Sequence, residues 1–212
     1  MENITHPIYE TILKGNLNGA VEATKTALNE KADPQKLISD YMSPAMEEIG
    51  RRFEEGKAFV PELLLAARAM KGSLELLKPL LKGENVVKMG TVVIGTVKGD
   101  LHDIGKNLVA SMLEGCGFEV INLGVDISSG KFINAIKEHN ATILCLSALL
   151  TTTMNYMKEI VEALEKEGIR DKVKIMVGGA PLNERFAADI KADGYSSNAN
   201  AAVSLAKKLS AS

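Results

Sequence analysis

Apolar residues in the first third of the chain recur at spacings of three and four, the period of a helix with one buried face. Ile8, Ile12 and Leu13 begin the series, and Ala20, Val21 and Leu28 continue it. Leu37, Ile38, Tyr41, Met42, Met46 and Ile49 then carry it as a third helix. The break Lys31-Ala32-Asp33-Pro34 separates the second and third helices. Asp33 can cap the new helix, and Pro34, which has no N–H to lose, suits its first position. Pro61 opens a fourth segment, PELLLAARAMKGSLELLKPLL, which Gly83 ends, and Phe53-Glu54-Glu55-Gly56-Lys57 reads as the loop before it. Short connections between four helices predict a four-helix bundle over residues 1–84.

Gly83-Glu84-Asn85 interrupts this pattern, residues 85–89 read as a linker, and from there the period changes. Thr91 to Val97 (TVVIGTV) is β-branched and almost continuously apolar, as a strand covered on both faces must be. Further strands are expected at 118–124, 141–147, 172–179 and 194–196. Helices are expected at 104–114, 129–138, 154–167, 183–191 and 199–209. Strand and helix in strict alternation predict right-handed crossovers and an α/β domain over 90–212. Its form is a doubly wound five-stranded parallel sheet, flavodoxin- or Rossmann-like. Ligands of such sheets bind beyond the carboxyl ends of the strands.

Composition narrows the options. The 212 residues are 46% hydrophobic but only 4% aromatic, with no Trp, so the core is aliphatic. A net charge of -2 and a pI near 6.0 give no electrostatic case for nucleic acid or an anionic membrane. Cys116 and Cys145 have no neighbour at metal or redox spacing and read as reduced core thiols. The N-terminus lacks a basic region followed by an apolar stretch. The longest apolar run, near Ala141 to Leu150, is about half the ~20 residues of a membrane helix. The expected location is cytoplasmic.

Candidate chemistry lies at the strand ends. The first strand runs into Lys98-Gly99-Asp100-Leu101-His102-Asp103-Ile104-Gly105-Lys106-Asn107. The spacing is neither that of a phosphate-binding P-loop nor that of the GxGxxG dinucleotide fingerprint. It offers an imidazole between two carboxylates, with Gly99 and Gly105 leaving room for a bulky ligand. A carboxylate beside an imidazole can orient a base or fix the tautomer of a metal ligand. On spacing alone, a surface loop whose Asp residues cap the next helix remains equally open. The third strand ends in Ser147-Ala148-Leu149-Leu150-Thr151-Thr152-Thr153, where Thr153 or its neighbours can also serve as helix caps. The fourth ends in Gly178-Gly179-Ala180-Pro181 and the fifth in Tyr195-Ser196-Ser197-Asn198-Ala199. Small residues at successive strand ends suggest a deep slot.

The ordered series GDLHDIG, SALLTTTM, GGAP and YSSNANAA resembles the cobalamin-binding domain of cobalamin-dependent methyltransferases, including methionine synthase. EEGKAFVPELLLAARAM resembles the helical cap domain that precedes it. Together they are similar to the stand-alone corrinoid proteins of methylamine, methanol, glycine-betaine and aryl-ether demethylating systems, over nearly the whole chain. The resemblance implies a cobalamin or related corrinoid, in its methylcobalamin form, with His102 as the lower axial cobalt ligand. Asp100 would accept from the other ring nitrogen, and Thr153 would extend the relay where a Ser is common. That relay would help protonate the imidazole when the metal releases it. Ser147 and Thr151 would meet the nucleotide tail, Gly178 and Gly179 would line its channel, and Ala199 would lie near the mouth. Gly99, Leu101, Asp103, Gly105, Leu149 and Tyr195 complete the implied cofactor set. Glu55 and the helix from Pro61 would cover the methyl-bearing face, with Met70 and Leu74 either cap or ordinary bundle core.

The implied activity is methyl carriage between enzymes, not catalysis alone, because the chain has no room for a substrate-binding barrel. Implied partners are a substrate:corrinoid methyltransferase, a second methyltransferase acting on a folate or thiol carrier, and a reductive activase, with cap movement about Gly83-Glu84-Asn85. Two other classes stand as alternatives: the binding subunit of an adenosylcobalamin mutase, which shares the DxHxxG loop, and a cobalamin-dependent regulator or light sensor. The helical segment argues against the first. The second would need an effector or DNA-binding module, for which no basic helix or spare domain is visible.

Overall fold

A computed structural model of the chain describes residues 4–81 and 89–211. The expected hinge Gly83-Glu84-Asn85 and residues 85–88 of the expected linker lie outside the described residues. Two compact units are present, Met1–Lys88 with Glu114–Gly117, and Met89–Leu113 with Phe118–Ser212.

In the helical unit α1 is Pro7–Leu13, α2 Leu17–Asn29, α3 Pro34–Leu37, α4 Ser43–Glu54 and α5 Val60–Leu77. Apolar residues at the predicted period are buried, among them Ile8, Ile12, Ala20, Met42, Leu63 and Leu77. Met70 and Leu74 are almost fully enclosed too, as bundle-core positions are. Asp33 caps α3 by accepting from Gln35 N at 2.9 Å. The Glu62 carboxylate accepts from Phe59 N at 2.8 Å and so secures the start of α5. The sequence predicts one continuous third helix, but α3 and α4 are joined by a π-helical turn, Ile38–Met42. Pro44 explains it. A proline inside a helix has no N–H to donate, and its ring crowds the carbonyl one turn back. The widened turn, in which Ser43 N reaches Ile38 O, admits that ring without breaking the helix.

In the α/β unit the strands are β1 Thr91–Thr96, β2 Glu119–Asn122, β3 Ile143–Ser147, β4 Lys174–Gly178 and β5 Gly194–Ser196. Helices α6 Ile104–Gly115, α7 Ser129–His139, α8 Asn155–Lys166, α9 Glu184–Asp189 and α10 Ala199–Ser210 alternate with them. Every pairing is parallel, in the order β2-β1-β3-β4-β5. Strands β2, β3 and β4 are shorter than their sequence patterns, which run on into the flanking turns. The apolar runs are buried because helices cover the sheet. Phe132 of α7 is enclosed with Val93, Leu144, Met157 and Ile175. Gly95 permits that packing, since a Cβ there would lie 2.8 Å from the Phe132 ring.

The register fixes what the sheet presents at its carboxyl edge. Thr96 pairs with Ser147, Ser147 with Gly178, and Gly178 with Ser196, so one row of small residues crosses four strands. The chain leaves β1 toward β2 on one side and must return past it to reach β3. The crevice between the ends of β1 and β3 is therefore the topological switch point, where ligands of such sheets bind.

Candidate functional site

The loops following β1 and β3 meet at this switch point, and Asp100 joins them. Its side chain is 0% exposed, and each oxygen is used. Oδ1 accepts from the backbone N of His102 at 3.0 Å and from His102 Nδ1 at 2.8 Å. Oδ2 accepts from the amides of Leu149 (2.7 Å) and Leu150 (3.2 Å) and from Thr153 Oγ1 (3.0 Å). None of these bonds goes to the first turn of α6, so Asp100 is not a cap for that helix. Burial alone would raise the Asp100 pKa. The amides of His102 and Leu149, followed by the imidazole and the Thr153 hydroxyl, outweigh it and hold the carboxyl well below its usual range.

An ionised carboxylate can only accept, so Nδ1 of His102 carries the proton of this contact. In the neutral ring the lone pair is then on Nε2. His102 is 52% exposed on its side chain, while Asp100 beside it is fully enclosed. The pair therefore offers one imidazole nitrogen, in one tautomer, to a ligand. This is how carboxylates orient metal-bound histidines.

The surroundings are apolar. Leu101 (71% exposed), Ile104 (87%), Leu149 and Leu150 are the exposed large hydrophobic side chains of this unit among the described residues. Leu101, Leu149 and Leu150 lie on the two loops that Asp100 holds together, and Ile104 opens α6 directly after the first of them. A patch of that kind beside a polar atom marks a surface that something covers. A Cβ at Gly105 would meet nothing within 4 Å, so the backbone there is open. Among the described residues, no group of three or more His, Cys, Asp or Glu could hold a bare metal ion. A single imidazole in an apolar surround suits a metal whose remaining positions are filled by an apolar-faced macrocycle, and a corrinoid fits this donor set.

The other expected residues of this unit are distributed along the same edge. Ser147 and Gly178 sit in the paired row, Thr151 is exposed after β3, and Tyr195 is half-buried in β5. Gly179 has φ +140, and a Cβ there would fall 1.8 Å from Ala148 O, so only glycine allows the ends of β3 and β4 to close. Ala199 is buried as the first residue of α10, whose cap Asn198 accepts from Ala201 N at 2.8 Å. Asp103 binds Asn107 Nδ2 at 2.9 Å. Glu55 is in the helical unit, paired with Arg51 and with Lys57 Nζ at 2.8 Å; these two cations hold its pKa down. That unit also exposes Phe59, Val60, Leu64 and Leu65 at the start of α5.

Sequence reasoning gave no role to five residues that shape the loop after β1. Thr96 Oγ1, fully buried, donates to His102 O at 2.9 Å. Asp126 Oδ1 accepts from Gly99 N at 2.7 Å. Lys106 is almost completely enclosed, and its Nζ donates to Asn107 Oδ1 (2.6 Å) and Asn122 Oδ1 (2.8 Å). Burial lowers the Lys106 pKa, and Asp103 opposes that. The KN pair following DIG was the available signal for the last network. Nothing in the sequence pairs Thr96 or Asp126 with the loop.

Comparison with known proteins agrees with this chemistry. Two families, each described as a B12 binding domain, match residues 90–204 and residues 4–78. A dimethylamine corrinoid protein of Methanosarcina barkeri is 46% identical over 191 residues, 88% of this chain and 90% of that protein. The crystal structure of a novel cobalamin-binding protein from Desulfitobacterium hafniense DCB-2 is similar with a TM-score of 0.81 at 32% identity, covering 95% of this chain and 96% of that one. A chain of the methanol:cobalamin methyltransferase complex MtaBC from Methanosarcina barkeri is similar with a TM-score of 0.80 at 32% identity, covering 97% and 78%.

Proposed function

The chain belongs to the B12-binding family of corrinoid proteins, and on that footing we propose that it carries methyl groups taken from a methylated amine, dimethylamine being the first choice. Such a protein is a carrier that works with a methyltransferase and is not an enzyme by itself. The similarity to the dimethylamine corrinoid protein supports the amine as methyl source. A second methyltransferase would receive the methyl for a folate or thiol carrier, and a reductive activase would restore the carrier after oxidation, all in the cytoplasm. No helix among the described residues is long and apolar enough to cross a membrane.

The observation that carries the site assignment is the enclosed Asp100 with its imidazole partner. Bound there, a corrinoid supplies a cobalt centre that takes up and gives away a methyl group. The chain supplies the rest. His102 Nε2 would be the nitrogen that holds the cobalt, and Asp100 holds the tautomer that keeps its lone pair available. Asp100 is the anion that accepts from the ring's Nδ1–H, and Thr153 keeps that carboxylate in place. Leu101, Ile104, Leu149 and Leu150 would cover an apolar macrocycle and exclude water from it. Ser147, Thr151, Gly178, Gly179, Tyr195 and Ala199 lie along the edge proposed for the nucleotide tail. Glu55 and the apolar start of α5 are proposed to shield the methyl-bearing face. The helical unit matched at residues 4–78 favours this reading over a mutase subunit or a regulator.

The test is reconstitution of the full chain with cobinamide, which brings no lower base of its own. The parent should show nitrogen coordination in the cobalt(II) electron paramagnetic resonance spectrum, and His102→Ala should lose it. Nitrogen coordination that survives His102→Ala would remove His102 from the role.

A further inference from the structure

Resting on the reading of His102 as the axial ligand, we propose that Asp126 is a positioning residue for the Asp100–His102 pair, acting through the loop backbone with Thr96 as its counterpart. Asp126 lies between β2 and α7, 27 residues beyond Gly99, and its side chain is exposed. An exposed Asp after a strand is ordinarily a solvated turn residue. Two observations set this one apart.

The first is reciprocity. Asp126 Oδ1 accepts from Gly99 N at 2.7 Å, and Asp126 N donates to Asp100 O at 3.1 Å. These bonds engage the amide before Asp100 and the carbonyl after its Cα, so the backbone on both sides of the buried carboxylate is held. Thr96 Oγ1 holds His102 O at 2.9 Å from within β1. Together the three bonds fix the segment from Gly99 to His102 against the sheet, independently of any contact made by the imidazole.

The second is conformation. Asp126 has φ +55 and Gly99 has φ +79, so two facing turns both use the left-handed region. Gly99 adopts it freely, but a residue with a Cβ does so at a cost, least for Asn and Asp. A position that needs both a left-handed backbone and an acceptor one carbon from Cβ admits Asp or Asn. Glycine would satisfy the first requirement alone. That separation makes the idea testable.

The chemical consequence lies at Nδ1. The 2.8 Å bond from the imidazole to Asp100 fixes the tautomer only while both residues keep their relative placement. Losing the clasp lets the Gly99–His102 backbone shift. Nitrogen ligation then weakens, although neither Asp100 nor His102 has changed.

Asp126→Asn, Asp126→Gly and the parent are compared as full chains. In the ligand-free protein the ring 15N spectrum of His102 should show the Nδ1–H tautomer for parent and Asp126→Asn, and a mixture for Asp126→Gly. With cobinamide, Asp126→Gly should lose affinity for nitrogen coordination by about 10-fold, at the low end for partners behind a metal ligand. Asp126→Asn should retain it. Thermal unfolding of Asp126→Gly near the parent value identifies the effect as positional. Should that variant not fold, slow hydrogen exchange of the Gly99 amide in the parent supports the clasp, and fast exchange overturns it. An unchanged tautomer and affinity in Asp126→Gly would also overturn it. Absence of nitrogen coordination in the parent would instead sink the His102 assignment, while the ligand-free tautomer still reports on the clasp.

Discussion

In the helical unit Glu48 accepts from Arg51 Nε and Nη2, each at 2.9 Å, and from Arg52 Nε at 2.7 Å. In the α/β unit Asp100 accepts five hydrogen bonds, and none of these donors belongs to a Lys or Arg. Both carboxyls are held below their ordinary range. Glu48 is lowered to about 2, first by Arg51 and then by Arg52, whereas Asp100 is lowered by amides that overcome its burial. The difference lies in what happens to the charge. Two guanidinium groups neutralise Glu48, and the arrangement stitches successive turns of α4. Amide and hydroxyl dipoles stabilise the Asp100 anion without cancelling it. Its remaining charge acts on the imidazole, which is why one network is structural and the other can serve chemistry.

The largest test of this contrast is Asp100→Ala in the ligand-free protein. It leaves the amides of Leu149 and Leu150 and the Thr153 hydroxyl without that acceptor. Hydrogen bonds to a charged group contribute roughly 1.5–3 kcal/mol each, so even with the two amides only partly buried a loss of roughly 3 kcal/mol or more is expected in urea unfolding. Asp100→Asn keeps one acceptor oxygen and should lose less, but it should free the His102 tautomer. A loss under about 1 kcal/mol for Asp100→Ala, as for an ordinary surface position, would break the comparison.

Glu48→Gln should be milder. Its partners are about half exposed, and exposed pairs rarely exceed ~1 kcal/mol each. The folded pKa is about 2 against an ordinary 4.5, so the stabilisation is complete above 4.5 and is lost as pH falls toward 2. Stability curves of parent and variant should therefore be separated by about 1 kcal/mol at neutral pH and converge on acidification. A gap that persists at pH 2 would mean that Glu48 acts by packing.

How much of this was legible in the sequence follows from the range of each interaction. The β-branched run at 91–97 and its alternation with helices identify a parallel sheet because local pattern reports burial. Asp100 and His102 are two residues apart, so their contact is local as well. Thr153 is 53 residues from Asp100, and its place at the same edge follows only once the strand order is known. Asp126 and Thr96 act through backbone groups, which leave no mark in residue type. The π turn was in principle visible in Pro44, but the apolar period ran through it and outweighed the proline. Exposure of Ile104 could not be read either, since a helical period presumes that apolar residues face inward.

The smallest expected effect separates the Thr153 hydroxyl from its methyl group. Thr153 Oγ1 lies 3.0 Å from Asp100 Oδ2 and 2.9 Å from Leu150 O, yet it has one proton to donate. The charged oxygen is the stronger acceptor, so the proton belongs to Asp100. Thr153→Ala removes this donor from a buried carboxylate and should cost about 1 kcal/mol, the usual net value of one hydrogen bond. It should also shift the pH dependence of the cobalt(II)/cobalt(I) potential, in the same sense as Asp100→Asn but less. Thr153→Ser keeps the hydroxyl and gives up only a methyl group near Gly99. Its unfolding free energy should stay within about 0.5 kcal/mol of the parent, as expected where no buried polar partner is lost. Its potential should superimpose on the parent's. If Thr153→Ser instead matches Thr153→Ala in both measurements, the methyl group does the work, and the hydrogen-bond chain ends at Asp100.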